Sequence, residues 1–338
     1  MSFTIALNFE DGITRFIQCN VGEKVLDAAY RQKVNLPMDC SDGVCGTCKC
    51  HCASGDYSLG EDFLEEALSE DEATARQVLT CQMIPASDCV IDVPVAAVQC
   101  KTSITTTDAT VLAINALSET AIELVVRPDT ALHFLSGQYI NIQVPGTTQQ
   151  RAYSFSSLPG SDEGRFLIRN VPGGLMSQWL TQRGQPGDTV TLSGPMGSFY
   201  LRHGERQVLM LAGGTGLAPM LSMLETLAAQ ESPRQVTLLY GVTYDVDLVK
   251  TDALDAFQHK LAGFSWLPVV ADAQSGCPQR GFVTDHLSEA MLNQGDVDIY
   301  LCGPPPMVNA ITTALRERGI TPAGFWYEKF IASQSAAA

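Results

Sequence analysis

Residues 39–52 read DCSDGVCGTCKCHC, and three cysteines of this stretch, Cys40, Cys45 and Cys48, stand at a C-x4-C-x2-C spacing. A fourth cysteine, Cys81, follows 33 positions after Cys48. Three thiolates on one loop can reach a single small metal group only if the backbone wraps tightly around it. We therefore expect this loop to hold a metal site that the rest of the chain serves.

Two kinds of metal site use four cysteines. The spacing found here is typical of a [2Fe-2S] cluster, whereas structural zinc sites commonly use two close cysteine pairs. Gly43 and Gly46 can adopt positive φ and let the main chain approach a cluster closely. Cys50 and Cys52 alternate with their neighbours, among them His51, which predicts a strand with packing thiols. We predict a [2Fe-2S] cluster on the four cysteines, with zinc as the alternative.

Length and charge narrow the class of protein. The 338 residues predict two or three domains. With 21 Lys and Arg against 37 Asp and Glu, the formal net charge is −16, which disfavours nucleic acid and anionic membranes as partners. No apolar run approaches the roughly 18 residues of a membrane span. The chain opens on MSFTIALNFEDG, which is not a secretory signal, so its 11 cysteines are expected to be reduced in a cytoplasmic protein.

The acidic residues are concentrated near the N-terminus. Residues 1–100 hold 16 acidic side chains, and 7 of these lie in residues 61–72, EDFLEEALSEDE. This stretch predicts either a solvated helical face or, with less support, a docking surface for a basic partner.

Residues 1–98 predict a small α+β domain. Thr4–Phe9 and Thr14–Cys19 are expected to form a hairpin, Lys24–Lys33 has helical periodicity, and a short strand is expected at Val90–Val93. Residues 99–107 are predicted to be a linker.

Residues 108–202 predict an antiparallel β-barrel, because strand-like runs alternate with Gly and Pro turns. The runs are Ala121–Val126, Gln138–Val144, Arg165–Asn170 and Thr189–Ser193. Two motifs belong to this segment. Residues 151–154 form an R-x-Y-S element on a strand, and residues 173–177 form GG-x-x-S at the start of a helix, where free N–H groups can bind a phosphate.

Residues 203–338 alternate strands and helices, as in a doubly wound parallel sheet of the Rossmann-like α/β class. The strand Gln207–Ala212 is followed by GGTG-x-x-P at residues 213–219, a turn suited to a dinucleotide pyrophosphate. The strand Val297–Cys302 runs into CGPP-x-M at residues 302–307. Ligands of such sheets bind at the carboxyl ends of the strands, where both motifs stand.

The four motifs follow the four cysteines in a fixed order. This combination resembles the ferredoxin-NAD(P)H reductase-type flavoproteins with an N-terminal plant-type [2Fe-2S] ferredoxin domain, over nearly the whole chain. It is similar to the reductase, or electron-transfer, components of benzoate- and toluate-type dioxygenases. The resemblance implies a β-grasp-like ferredoxin domain at 1–98, an FAD-binding barrel at 108–202 and an NAD-binding domain at 203–338.

The resemblance also implies site residues. Those implied for FAD are Arg151, Tyr153, Ser154, Ile168, Asn170, Gly174, Met176, Ser177 and Phe330. Those implied for the nicotinamide nucleotide are Gly213, Gly214, Thr215, Gly216, Pro219, Cys302, Gly303, Pro304 and Met307. Ser154 is expected near the reacting flavin atom, Cys302 near the transferred hydride, Glu328 as a proton or orientation partner, and Phe330 over the flavin ring. Unlike plant-type reductases, which end at that ring, this chain continues through residues 331–338.

The turn after Tyr240 bears on the choice of nucleotide. Gly241 and Asp245 are candidate cofactor-binding residues, and Asp247 adds a second carboxylate. A 2′-phosphate is commonly met by an arginine, whereas carboxylates repel it. NADH is therefore favoured over NADPH.

The implied function is electron transfer from NADH through FAD and the cluster to an external acceptor, a Rieske-type terminal oxygenase. One alternative keeps the enzyme class and changes the acceptor to a di-iron monooxygenase of the phenol, toluene or methane type. Another is a zinc-held interaction module without redox activity. A third is an electron carrier without hydride chemistry.

Overall fold

The computed structural model describes residues 2–38, 43–44, 46–60, 63–100 and 105–330. The chain forms two compact units. One comprises residues 1–104 together with 196–198, and the other comprises residues 105–195 together with 199–338.

The N-terminal unit is built on one five-stranded mixed sheet. Its elements are β1 (Ser2–Phe9), β2 (Thr14–Asn20), α1 (Val25–Arg31), β3 (Lys49–Ser54), β4 (Tyr57–Leu59), α2 (Glu70–Thr74), β5 (Gln77–Leu79), β6 (Met83–Pro85) and β7 (Cys89–Val93). The sheet order is β2-β1-β7-β3-β5, with β1 and β7 parallel. Alternate residues of β1 are buried, as the period of a half-buried strand requires. The predicted hairpin, helix and final strand are confirmed.

Of the acidic stretch 61–72, residues 63–69 form turns and residues 70–72 begin α2, so the helical-face interpretation is wrong for residues 63–69. Leu64 N–H donates to Gly43 O at 3.1 Å, and Ala67 and Leu68 are buried. The segment therefore packs back onto the cysteine loop before α2 begins. Glu61 and Asp62 lie outside the described residues.

The first half of the second unit is a six-stranded antiparallel sheet. Its elements are β8 (Thr105–Ala116), β9 (Ala121–Pro128), β10 (Tyr139–Gln143), β11 (Gln150–Ser154), β12 (Gly164–Arg169), α3 (Leu175–Gln182) and β13 (Thr189–Met196). The order is β11-β10-β13-β8-β9-β12. A bridge between Phe155 and Phe166 joins the two edges, which makes the sheet the predicted barrel. Strand β8 begins at Thr105, so residues 105–107 belong to the barrel and not to the predicted linker.

The second half of this unit is a five-stranded parallel sheet with helices between the strands. Its elements are β14 (Gln207–Gly213), α4 (Leu217–Ala229), β15 (Val236–Val242), α5 (Thr251–Lys260), β16 (Phe264–Val270), α6 (Glu289–Leu292), β17 (Val297–Gly303), α7 (Pro305–Glu317) and β18 (Gly324–Lys329). The order β16-β15-β14-β17-β18 places β14 at the centre, with β15 and β17 on either side. The carboxyl ends of these three strands form the edge on which the site is built.

Helix α4 fixes the parallel sheet against the barrel. The buried Ser222 hydroxyl donates to Ser157 O at 2.7 Å, and the hydroxyls of Ser136 and Thr226 also contact each other. Within the described part of the chain, no helix is long and apolar enough to cross a membrane.

Candidate functional site

The strand ladder of the N-terminal unit brings two predicted metal ligands together. Cys48 directly precedes β3 and Cys81 follows β5, and these strands pair with Lys49 opposite Leu79. The two sulfurs lie 3.3 Å apart and are buried, whereas a disulfide would hold them about 2.05 Å apart. Cys40 and Cys45 lie outside the described residues. Two converging thiols suit a shared metal group.

Two glycines of the cysteine loop have the backbone conformation that the sequence predicts. Gly43 and Gly46 have φ of +84° and +75°, and a Cβ on Gly46 would lie 3.3 Å from Ala67 O. Cys50 and Cys52 are buried on β3, as predicted for packing thiols, and burial raises the pKa of the Cys50 thiol. The positive φ of Gly43 and Gly46 and the converging sulfurs of Cys48 and Cys81 fit a four-thiolate cluster.

The R-x-Y-S element lies on β11, which pairs with β10 in the barrel. The Arg151 guanidinium, held by Gln150 O at 2.8 Å and Gln149 Oε1 at 2.7 Å, lies at the surface. Tyr153 packs against the barrel core, and burial raises the pKa of its hydroxyl. A cation and an aromatic ring therefore lie on the same strand, and a guanidinium of this kind can bind a phosphate.

The GG-x-x-S element opens α3 with Gly174 at the N-cap. The Met176 side chain is in the barrel core. The Ser177 hydroxyl accepts from Val171 N–H at 2.8 Å, which folds the loop before the helix. The free backbone N–H groups of the first helical turn are thus the groups that can meet a phosphate.

Two further residues predicted for FAD have structural partners. Ile168 is buried in the barrel core, and its side chain is therefore part of the scaffold. Asn170 N–H donates to Thr120 O at 2.8 Å, and its side-chain amide donates to Glu119 O at 2.9 Å. Asn170 thus fixes its loop to the hairpin between β8 and β9.

The two nucleotide motifs meet at the ends of β14 and β17, where Ala212 pairs with Cys302. A Cβ on Gly213 would lie 2.6 Å from Met307 Sδ and 2.9 Å from Pro304 Cδ. A Cβ on Gly216 would overlap the Cys302 carbonyl. The glycines are needed because the two turns touch along their backbones.

The remaining residues of these motifs shape the turn. Gly214 has φ of +54° and open space beside it, and Thr215 follows it in the short 3-10 turn Gly214–Gly216. Pro219 is buried in the first turn of α4. A Cβ on Gly303 would lie 2.9 Å from Met307 Sδ, which extends the close packing of the two motifs.

Four predicted catalytic residues converge where the barrel meets the sheet. Ser154, at the end of β11, donates its hydroxyl to Glu328 Oε2 at 3.1 Å. Glu328 stands opposite Cys302 in the β17–β18 pair. Burial, and to a lesser extent the Glu328 carboxylate, raises the pKa of the Cys302 thiol well above its ordinary value. Phe330 N–H donates to Gly303 O at 2.9 Å, which places Phe330 beside the turn.

The turn after β15 carries the residues considered for nucleotide choice. A Cβ on Gly241 would lie 2.6 Å from Val283 Cγ2, so the strand end is closely packed. Asp245 accepts from Ser275 Oγ at 2.6 Å. Asp247 accepts from Tyr244 N–H at 3.1 Å, which closes the turn on itself.

Two contacts to this turn are not predicted by the sequence. Thr120 donates its hydroxyl to Asp247 Oδ1 at 2.6 Å, and Lys250 Nζ lies 2.6 Å from Glu123 Oε1. The first pair is separated by 127 residues, and no motif marks either partner.

Three family models match the chain. Residues 8–86 match the 2Fe-2S iron-sulfur cluster binding domain, residues 109–200 the oxidoreductase FAD-binding domain, and residues 210–313 the oxidoreductase NAD-binding domain. The predicted cofactor classes are thereby confirmed, and the cluster is favoured over zinc.

Similar proteins are known along the whole length. The chain is 54% identical over 335 residues to the toluate 1,2-dioxygenase electron transfer component of Pseudomonas putida, covering 98% of this chain and 100% of that protein. It is 45% identical to the 2-halobenzoate 1,2-dioxygenase electron transfer component of Burkholderia cepacia, covering 98% of each. The crystal structure of the Amycolatopsis cytochrome P450 reductase GcoB superposes with a TM-score of 0.72 at 30% identity, covering 97% of this chain and 99% of that one. The chain therefore belongs to the family of oxygenase electron transfer components in which a 2Fe-2S domain is joined to FAD-binding and NAD-binding reductase domains.

Proposed function

We propose that this protein is the NADH-dependent reductase of an aromatic-ring-hydroxylating dioxygenase of the benzoate type, which passes electrons from NADH through FAD and a [2Fe-2S] cluster to the terminal oxygenase. The observation that carries the proposal is the convergence of Ser154, Cys302 and Glu328 at one junction of the barrel and the parallel sheet. The names of the two relatives described above support the choice of acceptor.

The bound groups supply the redox chemistry: flavin accepts a hydride and releases electrons singly, and the cluster carries one electron at a time. The chain positions these groups. Ser154 and Glu328 hold a hydrogen bond at the junction, and Cys302 presents a neutral, apolar thiol there. Because this thiol is neutral, it adds no negative charge beside the position proposed for hydride transfer.

The proposed ligands follow the sequence motifs. The cluster is held by Cys40, Cys45, Cys48 and Cys81. FAD is held by Arg151, Tyr153, Ser154, Asn170, Gly174 and Ser177, with Phe330 beside its ring. Ile168 and Met176, whose side chains lie in the barrel core, contribute through their backbone. The nicotinamide nucleotide is held by Gly213, Gly214, Thr215, Gly216, Pro219, Gly241, Asp245, Cys302, Gly303, Pro304 and Met307.

We assign NADH as the preferred nucleotide. Asp245 and Asp247 lie on the turn that follows β15, and their carboxylates repel a 2′-phosphate. The Asp245 carboxylate can accept hydrogen bonds from the ribose hydroxyls of NADH.

The proposed partner is a terminal oxygenase of the Rieske type, and the proposed location is the cytoplasm. Among the described cysteines none forms a disulfide, which supports a reducing compartment.

An anaerobic titration of the purified protein with NADH, followed by optical and electron spin resonance spectra, tests this function. We expect the flavin absorbance to bleach and a reduced iron-sulfur signal to follow. A colourless protein containing zinc would overturn the proposal. Reconstitution with a purified Rieske dioxygenase and, separately, a di-iron monooxygenase identifies the acceptor, and turnover only with the latter would overturn the dioxygenase assignment.

A further inference from the structure

We infer that Thr120 is a positioning residue for NADH: its hydroxyl fixes the turn Tyr244–Asp247, which receives the ADP-ribose half of the nucleotide, against the FAD-binding barrel. The inference rests on the proposed function in assigning that turn to the nucleotide. It gives a residue of the barrel domain a role in nucleotide binding by the parallel-sheet domain.

Asp247 closes the turn Tyr244–Asp247 on itself. Asp247 Oδ2 accepts from Tyr244 N–H at 3.1 Å, and Asp247 N–H donates to Tyr244 O at 3.0 Å. One carboxylate oxygen is thus committed to holding the turn in shape. The other, Oδ1, accepts from Thr120 Oγ1 at 2.6 Å, a short bond of the charge-assisted kind.

Thr120 lies where the barrel can hold both loops in place. It ends the hairpin between β8 and β9, where Thr120 N–H donates to Ser118 Oγ at 3.2 Å. Its carbonyl accepts from Asn170 N–H at 2.8 Å, in the loop that leads to the N-terminus of α3. The hairpin between β8 and β9 therefore contacts both the loop 170–174 before α3, here called the FAD loop, and the turn Tyr244–Asp247.

The segment that follows the turn is attached to the barrel a second time, at Lys250. Lys250 Nζ lies 2.6 Å from Glu123 Oε1, and Asn115 Nδ2 donates to the other carboxylate oxygen of Glu123 at 3.2 Å. The Glu123 side chain is 9% exposed. Asp247 and Lys250 are thereby both tied to the barrel. Loss of the Thr120 bond removes the attachment at Asp247 and leaves the attachment at Lys250, while Asp245 stays bonded to Ser275.

The side-chain and backbone roles of Thr120 can be separated. Thr120→Val keeps the shape of the side chain and the carbonyl that binds Asn170, but removes the hydroxyl. Because the FAD loop is held through backbone carbonyls, FAD content serves as an internal control. Thr120→Ser keeps a hydroxyl at this position. Thr110→Val replaces a threonine by valine at an exposed site on β8 and serves as the matched control.

The experiment measures flavin reduction by NADH in the holoenzyme and, separately, the Kd of ADP-ribose for the oxidised protein by calorimetry. For Thr120→Val we expect the KM for NADH and the Kd of ADP-ribose to rise about three- to tenfold, with kcat changed less than about twofold. Thr120→Ser is expected to lie within about twofold of the unaltered protein in both measurements, as is Thr110→Val.

Unchanged KM and Kd in Thr120→Val would overturn the inference, as would an equal loss in Thr120→Ser, which would place the effect in packing. A parallel fall in FAD content would show a general disturbance of the hairpin and would also overturn it. Failure of NADH to reduce the unaltered protein would instead contradict the proposed function. The ADP-ribose titration still decides the role of Thr120 in that case.

Discussion

The hydrogen bond from Ser154 to Glu328 joins two residues that are 174 positions apart and belong to different sheets. A hydrogen bond to a charged group contributes about 1.5–3 kcal/mol when it is shielded from water, and Ser154 is buried. We expect Ser154→Ala to slow flavin reduction by NADH about tenfold or more, because each 1.4 kcal/mol lost in the transition state costs a factor of ten. Stopped-flow absorbance measures this rate.

Ser156→Ala is the matched control, since Ser156 lies just beyond the same strand end and is held through its backbone N–H to Arg165 O. Its reduction rate is expected to equal that of the unaltered protein. If NADH reduced the flavin of Ser154→Ala at the normal rate, the Ser154–Glu328 hydrogen bond would have no role in flavin reduction.

The Cys302 thiol makes stability depend on pH. Its pKa is raised above the ordinary 9.0 in the folded chain, so below pH 9 it is protonated in both states and contributes no difference. As the pH rises above 9, the unfolded chain ionises first, and the free energy of unfolding falls. Between pH 9 and 10 the unaltered protein should lose about 1 kcal/mol more than Cys302→Ala. Urea unfolding at each pH measures this difference, and parallel pH profiles would contradict it.

The glycine turns show how an element is fitted to its neighbour. Gly216 lies where the turn after β14 touches the end of β17, and a side chain there overlaps the Cys302 backbone. We expect Gly216→Ala to lower the free energy of unfolding by about 1–3 kcal/mol. The displaced turn should also raise the KM for NADH by about tenfold or more. Urea unfolding and steady-state kinetics measure the two effects.

Gly276→Ala is the control for that substitution, because no atom lies within 4 Å of the added Cβ. It should leave both quantities unchanged within error. If Gly216→Ala behaved like Gly276→Ala, the two motifs would not be in backbone contact in solution.

The sequence predicts elements whose signal is local. Strands such as β1 and β14 follow from alternating or continuous apolar residues, and α3 and α4 follow from the glycines that precede them. The acidic segment is helical only from Glu70 onward, because charge composition does not reveal that Ala67 and Leu68 are buried in the turns before it.

Contacts between distant elements have no such local signal. Thr120 and Asp247 are ordinary polar residues in ordinary turns, and only the packing of barrel on sheet brings them together. The glycine motifs were recognisable because the backbone itself requires that residue type. Side chains such as those of Thr120 and Asp247 are not restricted in this way, so the sequence does not predict their contact.

The two compact units correspond to different chemistry. The four cysteines all lie within residues 1–104, whereas the junction of Ser154, Cys302 and Glu328 lies entirely in the other unit. The acidic charge is also divided unevenly, since residues 1–100 hold 16 acidic against 6 basic side chains. Hydride acceptance and single-electron delivery should therefore be separable by substitution.

Cys81→Ser tests this separation. Cys81 is buried beside Cys48, and a serine hydroxyl is a poor ligand for iron, so the variant should lose the reduced iron-sulfur signal while NADH still bleaches its flavin at the normal rate. Cys19→Ser is the matched control, because serine can keep the donor that Cys19 provides to Glu23 O at 3.2 Å, and it should retain both signals. Loss of flavin reduction together with the cluster in Cys81→Ser would mean that the two units do not act as separate redox modules.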